Sequence, residues 1–180
     1  RFERKESALI AHVAGIERHS AVNGPGVRYV VFFQGCTHHC PGCQNPETWA
    51  LDQGAVCDTE EIKEDIRSTK YLDGVTLSGG DPLLQAKACK EIIDFCSQEG
   101  INVWCYTGWT FEQILEDETL KEAREAIENL DVLVDGPFVL SLLTKDCLFR
   151  GSSNQRLIDV KRSLQEGKIC LLEDGMNYGL

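Results

Sequence analysis

Three cysteines stand close together in one short segment of the sequence. Cys36, Cys40 and Cys43 have the spacing C-x3-C-x2-C, and the glycines and the proline beside them allow a tight loop without a helix. Three thiolates packed this closely cannot all bond to one another, and as anions they repel. A cation or a metal cluster resolves both problems, so the spacing predicts a metal centre with these three residues as ligands.

Two kinds of metal centre fit this loop. A structural zinc ion takes four protein ligands, and His38 or His39 could complete a Cys3His set. A 4Fe-4S cluster has four iron corners, each normally held by one cysteine. Cys57 lies fourteen residues beyond Cys43, so no fourth cysteine follows at a ferredoxin-like distance. The spacing therefore favours a 4Fe-4S cluster with one iron open for a small molecule, and zinc remains the alternative. The default prediction for both histidines is exposure.

Other polar or glycine-rich motifs also follow apolar, strand-like segments. They are Ser78-Gly79-Gly80-Asp81, Thr107-Gly108 and Asp135-Gly136. Consecutive glycines permit positive φ and let the backbone approach a ligand closely, although each motif alone is compatible with an ordinary turn. Because functional loops follow the carboxyl ends of parallel strands, the motifs are expected on the same face of the fold as the cysteine loop.

In combination these motifs resemble one family. The three-cysteine loop is similar to the signature of the radical S-adenosylmethionine enzymes, and the other stretches resemble the branch that activates the anaerobic, class III ribonucleotide reductase. The resemblance runs from about residue 8 to residue 160. The stretches that carry it are residues 22–28 (VNGPGVR), 44–49 (QNPETW), 77–83 (LSGGDPL), 104–108 (WCYTG), 132–136 (VLVDG) and 150–155 (RGSSNQ).

The resemblance implies a cofactor and a set of contacts. Cys36, Cys40 and Cys43 would hold a 4Fe-4S cluster, and S-adenosylmethionine would bind its open iron. No further side chain is implied as acid, base or nucleophile. The implied contacts to S-adenosylmethionine are Gly42 and Gln44 near the adenine, Ser78, Gly79, Gly80 and Asp81 at the methionine end, Thr107 at the ribose or carboxylate, and Asp135.

The family's activity is the expected function. One electron from a donor such as flavodoxin would cleave S-adenosylmethionine, and the 5'-deoxyadenosyl radical would take hydrogen from a glycine of the reductase large subunit. Arg150, Asn154 and Gln155 are candidate contacts to that partner, or a solvated loop. One rival is activation of another glycyl-radical enzyme, such as pyruvate formate-lyase. The other is a non-enzymatic iron–sulfur or zinc binding protein.

Composition indicates which kinds of partner and which compartment suit the protein. A formal net charge of −11 disfavours nucleic acid as a partner, and no window of about 20 apolar residues could span a membrane. The polar N-terminus lacks a secretion signal, so the nine cysteines indicate a reducing, cytoplasmic setting. Cys89, Cys96 and Cys105 fit buried apolar positions, as do Trp49 and Trp104. Cys57, Cys147 and Cys170 receive no role, and no spacing supports a second metal site.

The alternation of strand-like and helix-like segments predicts an α/β fold. Parallel strands joined by helices are the expected arrangement. A complete eight-fold barrel needs roughly 250 residues. A chain of 180 residues has room for five or six βα units, so a partial barrel is expected, with a doubly wound sheet as the alternative. Residues 1–180 are expected to form one domain, with the core at about 8–160 and no assigned structure for the tail at 161–180.

Overall fold

Seven strands form one mixed sheet in the computed structural model, which describes residues 9–174 and Tyr178. Their order across the sheet is β3-β1-β2-β4-β5-β6-β7. The strands are β1 (Ile10–Ser20), β2 (Arg28–Phe33), β3 (Ala55–Asp58), β4 (Gly74–Gly79), β5 (Val103–Tyr106), β6 (Val132–Asp135) and β7 (Arg156–Asp159).

Five α-helices are described, and local sequence explains where they begin. Asp58 caps the first helix by accepting a hydrogen bond from Glu60 N at 2.8 Å. Thr110 and Gln113 form a capping box at the third. A short 3-10 helix, Glu118–Leu120, separates the third and fourth helices. The helices are α1 (Thr59–Ser68), α2 (Ala86–Gln98), α3 (Phe111–Glu116), α4 (Lys121–Ala126) and α5 (Val160–Glu166).

Strand direction divides the sheet into a parallel centre and antiparallel edges. Strands β2, β4, β5 and β6 run parallel, whereas β1, β3 and β7 are antiparallel to their neighbours. The expected run of five or six parallel units is therefore wrong at both edges. The connections explain the difference. The turn at residues 21–27 is too short to cross the sheet, and the connection at residues 136–155 contains no α-helix that could cross a face of the sheet.

The two faces of the sheet carry different cores. Buried residues of all five helices join one large cluster, which includes Tyr29, Val31 and Phe33 of β2. The opposite face carries a small cluster of strand residues around Trp104, with no α-helical residue among those described. The helices thus cover one face, and the other face is left to form a cavity. Trp104 is buried as predicted.

Six cysteines lie outside the loop, on several elements. Cys89, Cys96 and Cys105 are buried as expected, and burial raises the pKa of all three thiols, that of Cys96 to about 12. Cys57 lies on β3, at the opposite edge of the sheet from Cys170, which follows α5. Within the described part of the chain no helix is long and apolar enough to cross a bilayer. The start of the expected core at residue 8 and much of the tail beyond 174 fall outside the described residues.

Arg28 holds the amino ends of the parallel strands together. Its buried guanidinium donates to Thr76 Oγ1 at 2.7 Å, to Val75 O at 2.8 Å and to Asn102 Oδ1 at 3.0 Å. It also lies over the ring of Trp104, 5.5 Å from the centroid. Burial lowers the pKa of Arg28 to about 10, so the group stays cationic at neutral pH. One side chain from β2 thereby fixes β4 and the segment before β5.

Replacing Arg28 should destabilise the fold. Arg28→Leu leaves buried carbonyl groups without donors, and we expect the free energy of unfolding to fall by about 3 kcal/mol. Arg18→Leu is the matched control, because Arg18 is exposed and its ion pair with Asp65 at 3.0 Å, which lies at the surface, contributes little to stability. Chemical denaturation of both variants measures the difference, and equal losses would contradict this assignment.

Candidate metal and cofactor site

A cavity of about 660 Å³ opens at the carboxyl ends of the parallel strands. It brings together most residues that the sequence singles out: Cys36, Cys40, Cys43, Gln44, Ser78, Gly79, Gly80, Asp81, Thr107, Arg150 and Gln155. Gly42, Asp135 and Asn154 are not among the described residues that line it. The cavity also includes His38, a candidate fourth ligand in the zinc alternative, and Trp49, Tyr106, Lys145 and Phe149, for which the sequence predicts no cofactor contact.

The cysteine loop is shaped by backbone hydrogen bonds. Gly35 N donates to Thr48 O at 2.7 Å, and Cys36 N donates to Trp49 O at 3.2 Å, so both ends of the loop are tied together. Within it, Cys43 N donates to Cys40 O at 3.0 Å. All three cysteines are half-buried, and burial raises the pKa of Cys36. Backbone hydrogen bonds therefore close the loop, and its three cysteines line the cavity.

The glycine turn after β4 packs against the entry to that loop. Gly80 N donates to Phe33 O at 2.8 Å, and Asp81 N donates to Gly35 O at 2.9 Å. A Cβ on Gly79 would lie 2.5 Å from the backbone of Phe33, and one on Gly80 would overlap the carbonyl oxygen of Gly35. Glycine is therefore needed at both positions because this turn packs closely against the segment from Phe33 to Gly35. The same turn also lines the cavity.

The carboxylate of Asp81 joins three of the motifs. It accepts hydrogen bonds from Leu83 N at 3.0 Å, Gly108 N at 2.9 Å and Thr107 Oγ1 at 2.9 Å. Its Oδ2 also lies 2.6 Å from His38 Nε2. Only 1% of Asp81 is exposed. This side chain thus couples the cysteine loop to the turns after β4 and β5.

The two histidines of the cysteine loop differ. His38 has only 17% of its side chain exposed and packs edge-on against Trp109. The default of exposure is wrong for His38, because its ring fills the space that Gly108 leaves open beside Asp81. His39 is exposed and lies against Trp49, with ring centroids 4.7 Å apart. Trp49 is itself half-buried at the cavity, which corrects its assignment to the core.

Asp135 lies beside the cavity, where other groups engage its carboxylate. It accepts hydrogen bonds from Arg156 Nε at 3.0 Å and from Phe111 N at 2.8 Å, the first amide of α3. Arg156 also donates to Glu112 Oε1 at 3.0 Å. Asp135 therefore ties β6, α3 and β7 together, and the next residue, Gly136, lines the cavity in its place.

The polar residues expected to meet a partner make hydrogen bonds or ion pairs within the chain. Gln155 Oε1 accepts from Gly151 N at 2.9 Å, and its amide donates to Gly136 O at 3.1 Å. Asn154 Nδ2 donates to Pro137 O at 2.8 Å, and Arg150 pairs with Asp174 at 2.5 Å. These contacts tie the segment between β6 and β7 to its own backbone and to Asp174.

The sequence of this chain is similar to those of several known proteins. A family model described as a 4Fe-4S single cluster domain matches residues 22–158. The anaerobic ribonucleoside-triphosphate reductase-activating protein of Enterobacteria phage T4 is 40% identical over 143 residues, which cover 76% of this chain and 86% of that protein. The protein of the same name from Escherichia coli K12 is 35% identical over 143 residues, which cover 74% and 89%. The chain belongs to this family of activating proteins.

A solved structure was also matched. The crystal structure of QueE from Escherichia coli aligns with a TM-score of 0.46 at 12% sequence identity, and the alignment covers 70% of this chain and 71% of that one.

The residues at the cavity of this activating-protein family member fit a 4Fe-4S cluster. Three half-buried cysteines line one cavity, and thiolates are the usual cluster ligands. Cys43 Sγ already accepts a hydrogen bond from Asn45 N at 3.4 Å. The indole N–H of Trp49 is buried without a partner in the described structure, so a donor is available at the same wall. A volume of about 660 Å³ is within the range of small-ligand sites.

The glycine turn provides a first test of the site. Gly80→Ala places a Cβ against Gly35 O, and we expect it to displace the cysteine loop and lower the free energy of unfolding by about 2 kcal/mol. Gly15→Ala is the control, because a Cβ there meets nothing within 4 Å. Denaturation and limited proteolysis of the loop measure the effect. A Gly80→Ala protein as stable as Gly15→Ala would contradict the packing described here.

Arg156 should give stability a dependence on pH. Its hydrogen bonds hold the pKa of Glu112 below the ordinary value of 4.5. A carboxylate whose pKa is lower in the folded state stabilises the fold above the unfolded pKa, and that stabilisation is lost as the pH falls. Arg156→Gln should therefore lower the free energy of unfolding by about 2 kcal/mol at pH 7, and flatten its decline below about pH 5.

A pH series of denaturation curves measures this effect. Lys121→Gln serves as the control, because Lys121 makes only a solvent-exposed pair with Glu125 at 4.0 Å. If Arg156→Gln and wild type lose stability in parallel between pH 5 and pH 3, the ion pair is not the source of the pH dependence.

Proposed function

We propose that the chain is a radical S-adenosylmethionine enzyme that activates an anaerobic ribonucleotide reductase. It cleaves S-adenosylmethionine reductively and removes a hydrogen atom from a glycine of the reductase large subunit. The observation that carries this proposal is the meeting of three cysteines and a glycine turn at one cavity. Relatives named as activating proteins of that reductase support the same assignment.

The protein's part in this reaction is to bind and orient. When bound, the cluster and S-adenosylmethionine supply the electron transfer and the radical chemistry. Cys36, Cys40 and Cys43 hold three irons. Gln44 and the turn from Ser78 to Gly80 line the cavity and are the proposed contacts to S-adenosylmethionine.

The other proposed cofactor residues act less directly. Gly42 contributes backbone next to the third cysteine. Asp81 accepts the hydroxyl hydrogen bond of Thr107, and the pair fixes the cavity wall. Asp135 supports the site from outside through Arg156 and α3. Arg150, Asn154 and Gln155 serve the partner by fixing the loop that faces it.

The fold is proposed to be a partial barrel. Four parallel strands with helices on one face support it, because a doubly wound sheet carries helices on both faces. The uncovered face then forms the cavity, and the missing barrel strands leave a lateral opening for a glycine-bearing loop. Residues 1–180 are proposed to be a single domain that acts in the cytoplasm with a low-potential electron donor such as flavodoxin.

Two other functions are less well supported. Activation of a pyruvate formate-lyase type enzyme uses the same chemistry, but the named relatives are activating proteins of the anaerobic reductase. A zinc protein would need ligands grouped around one ion. In residues 9–174 and 178 no three His, Cys, Asp or Glu side chains are grouped in that way. A 4Fe-4S cluster has no such need, because each cysteine holds a different iron.

Cluster loading and cofactor cleavage test the proposal together. Reconstituted wild-type protein should bind about four irons per chain and, with dithionite, convert S-adenosylmethionine to 5'-deoxyadenosine. Cys36→Ser, Cys40→Ser and Cys43→Ser should each abolish that product. Cys147→Ser should retain iron and activity, because Cys147 lies outside the lining of the cavity.

The same reconstituted protein tests which enzyme is the partner. Mixed with the reductase large subunit, the wild-type protein should produce a glycyl radical signal in electron paramagnetic resonance. A pyruvate formate-lyase subunit should give no such signal. One zinc per chain with no iron, or iron without 5'-deoxyadenosine, would overturn the proposal.

A further inference from the structure

The segment between β6 and β7 concentrates exposed leucines. Of the twelve large hydrophobic residues that are exposed in the described structure, four lie within nine positions of this segment. They are Leu140 (53% exposed), Leu142 (42%), Leu143 (55%) and Leu148 (47%), here called the leucine patch. The other eight are spread over the rest of the chain. Such a concentration of apolar surface marks an interaction site more often than chance exposure does.

The segment that carries the leucine patch is held in a fixed shape. Leu142 N donates to Val139 O at 2.9 Å, and Ser153 N donates to Leu142 O at 2.9 Å. Leu143 forms an antiparallel bridge with Ser152, whose hydroxyl accepts from Val139 N at 3.1 Å. The side-chain amides of Asn154 and Gln155 donate to backbone carbonyls of the same loop, whereas Asn154 Oδ1 is buried without a partner in the described structure. The leucines are thus displayed by a segment that backbone and side-chain hydrogen bonds hold together.

The leucine patch is continuous with the cavity. Leu143 lines the cavity together with Thr144 and Lys145. Leu140 lies against the cysteine loop, since a Cβ on Gly42 would come within 2.9 Å of Leu140 Cδ1. The patch therefore meets the proposed cluster loop at Leu140 and the cavity at Leu143, with Leu142 between them in the chain. Anything that reaches into the cavity from this side has to pass over it.

We propose that the leucine patch docks an apolar stretch of the reductase next to the glycine that reacts. This inference rests on the proposed function, in which a glycine inside a protein chain must enter the cavity. Residues flanking that glycine then lie at the rim, where Leu143 borders the cavity next to Thr144 and Lys145. In this proposal, burial of apolar side chains against the leucines is the main source of affinity.

A second copy of the chain is the competing occupant. A copy seated on the leucine patch would cover the rim at which Leu143 borders the cavity. It would block the entry that a protein substrate needs, so the geometry favours the reductase. The polar residues of the loop do not replace the leucines in this role, because Asn154 and Gln155 already bond within the loop.

A double variant tests the proposal. Leu142→Ser with Leu148→Ser removes two patch residues that do not line the cavity. The matched control is Leu164→Ser with Leu171→Ser, because those leucines are 39% and 50% exposed and lie outside the patch. For wild type and both variants the measurements are iron content, 5'-deoxyadenosine formed with dithionite and no partner, affinity for the reductase large subunit, glycyl radical yield and sedimentation.

The patch variant should keep its iron and its uncoupled 5'-deoxyadenosine formation. Its affinity for the reductase and its radical yield at limiting reductase should fall about tenfold or more, and the control should match wild type. A patch variant that binds and activates like wild type would overturn the proposal. So would a wild-type dimer that the variant converts to monomer, since a second copy would then occupy the patch.

Failure of the proposed function gives a different pattern. Wild-type protein would then form no 5'-deoxyadenosine at all. The docking proposal fails in the affinity measurement, with 5'-deoxyadenosine formation intact. Loss of iron in the patch variant alone would also count against the proposal, because it would give the leucines a structural role in the cysteine loop.

Discussion

One buried carboxylate constrains the whole site. A charged group removed from water is costly unless hydrogen bonds satisfy it. Asp81 meets that requirement only when the cysteine loop, the turn after β4 and the turn after β5 are all in place, because each supplies a partner. The three motifs are therefore interdependent. The cavity is fixed in shape by the protein, which is the condition for orienting a reactive cofactor.

The site could be predicted largely because strand direction fixes where loops emerge. Each motif follows a parallel strand, so the cysteines, the glycine turn and Thr107 had to meet at one edge of the sheet. The antiparallel edges could not be predicted in the same way. The apolar residues of β1 and β7 are compatible with strands, and they do not show which way each strand runs. That direction depends on whether a connection crosses the sheet, which is a property of the whole fold.

Other differences arise from contacts between distant residues. His38 has no periodic pattern around it, and its ring finds its partners, Asp81 and Trp109, only in residues distant in the chain. Asp135 was expected near the cofactor, but its carboxylate bonds to Arg156, which lies just beyond the 150–155 motif. The two side chains are brought together by the pairing of β6 with β7. Strand β3 has four residues and no clear alternation, so tertiary pairing with β1 defines it.

Glycine at position 42 connects chemistry and recognition. Its φ of +77° suits glycine, and its missing side chain leaves room for Leu140. The loop that holds the cysteines therefore packs directly against the segment that displays the leucines. If the reductase docks as proposed, a partner seated on Leu140 would therefore also border the backbone next to Cys43. One packing contact, between Leu140 and Gly42, then belongs both to the cysteine loop and to the docking surface.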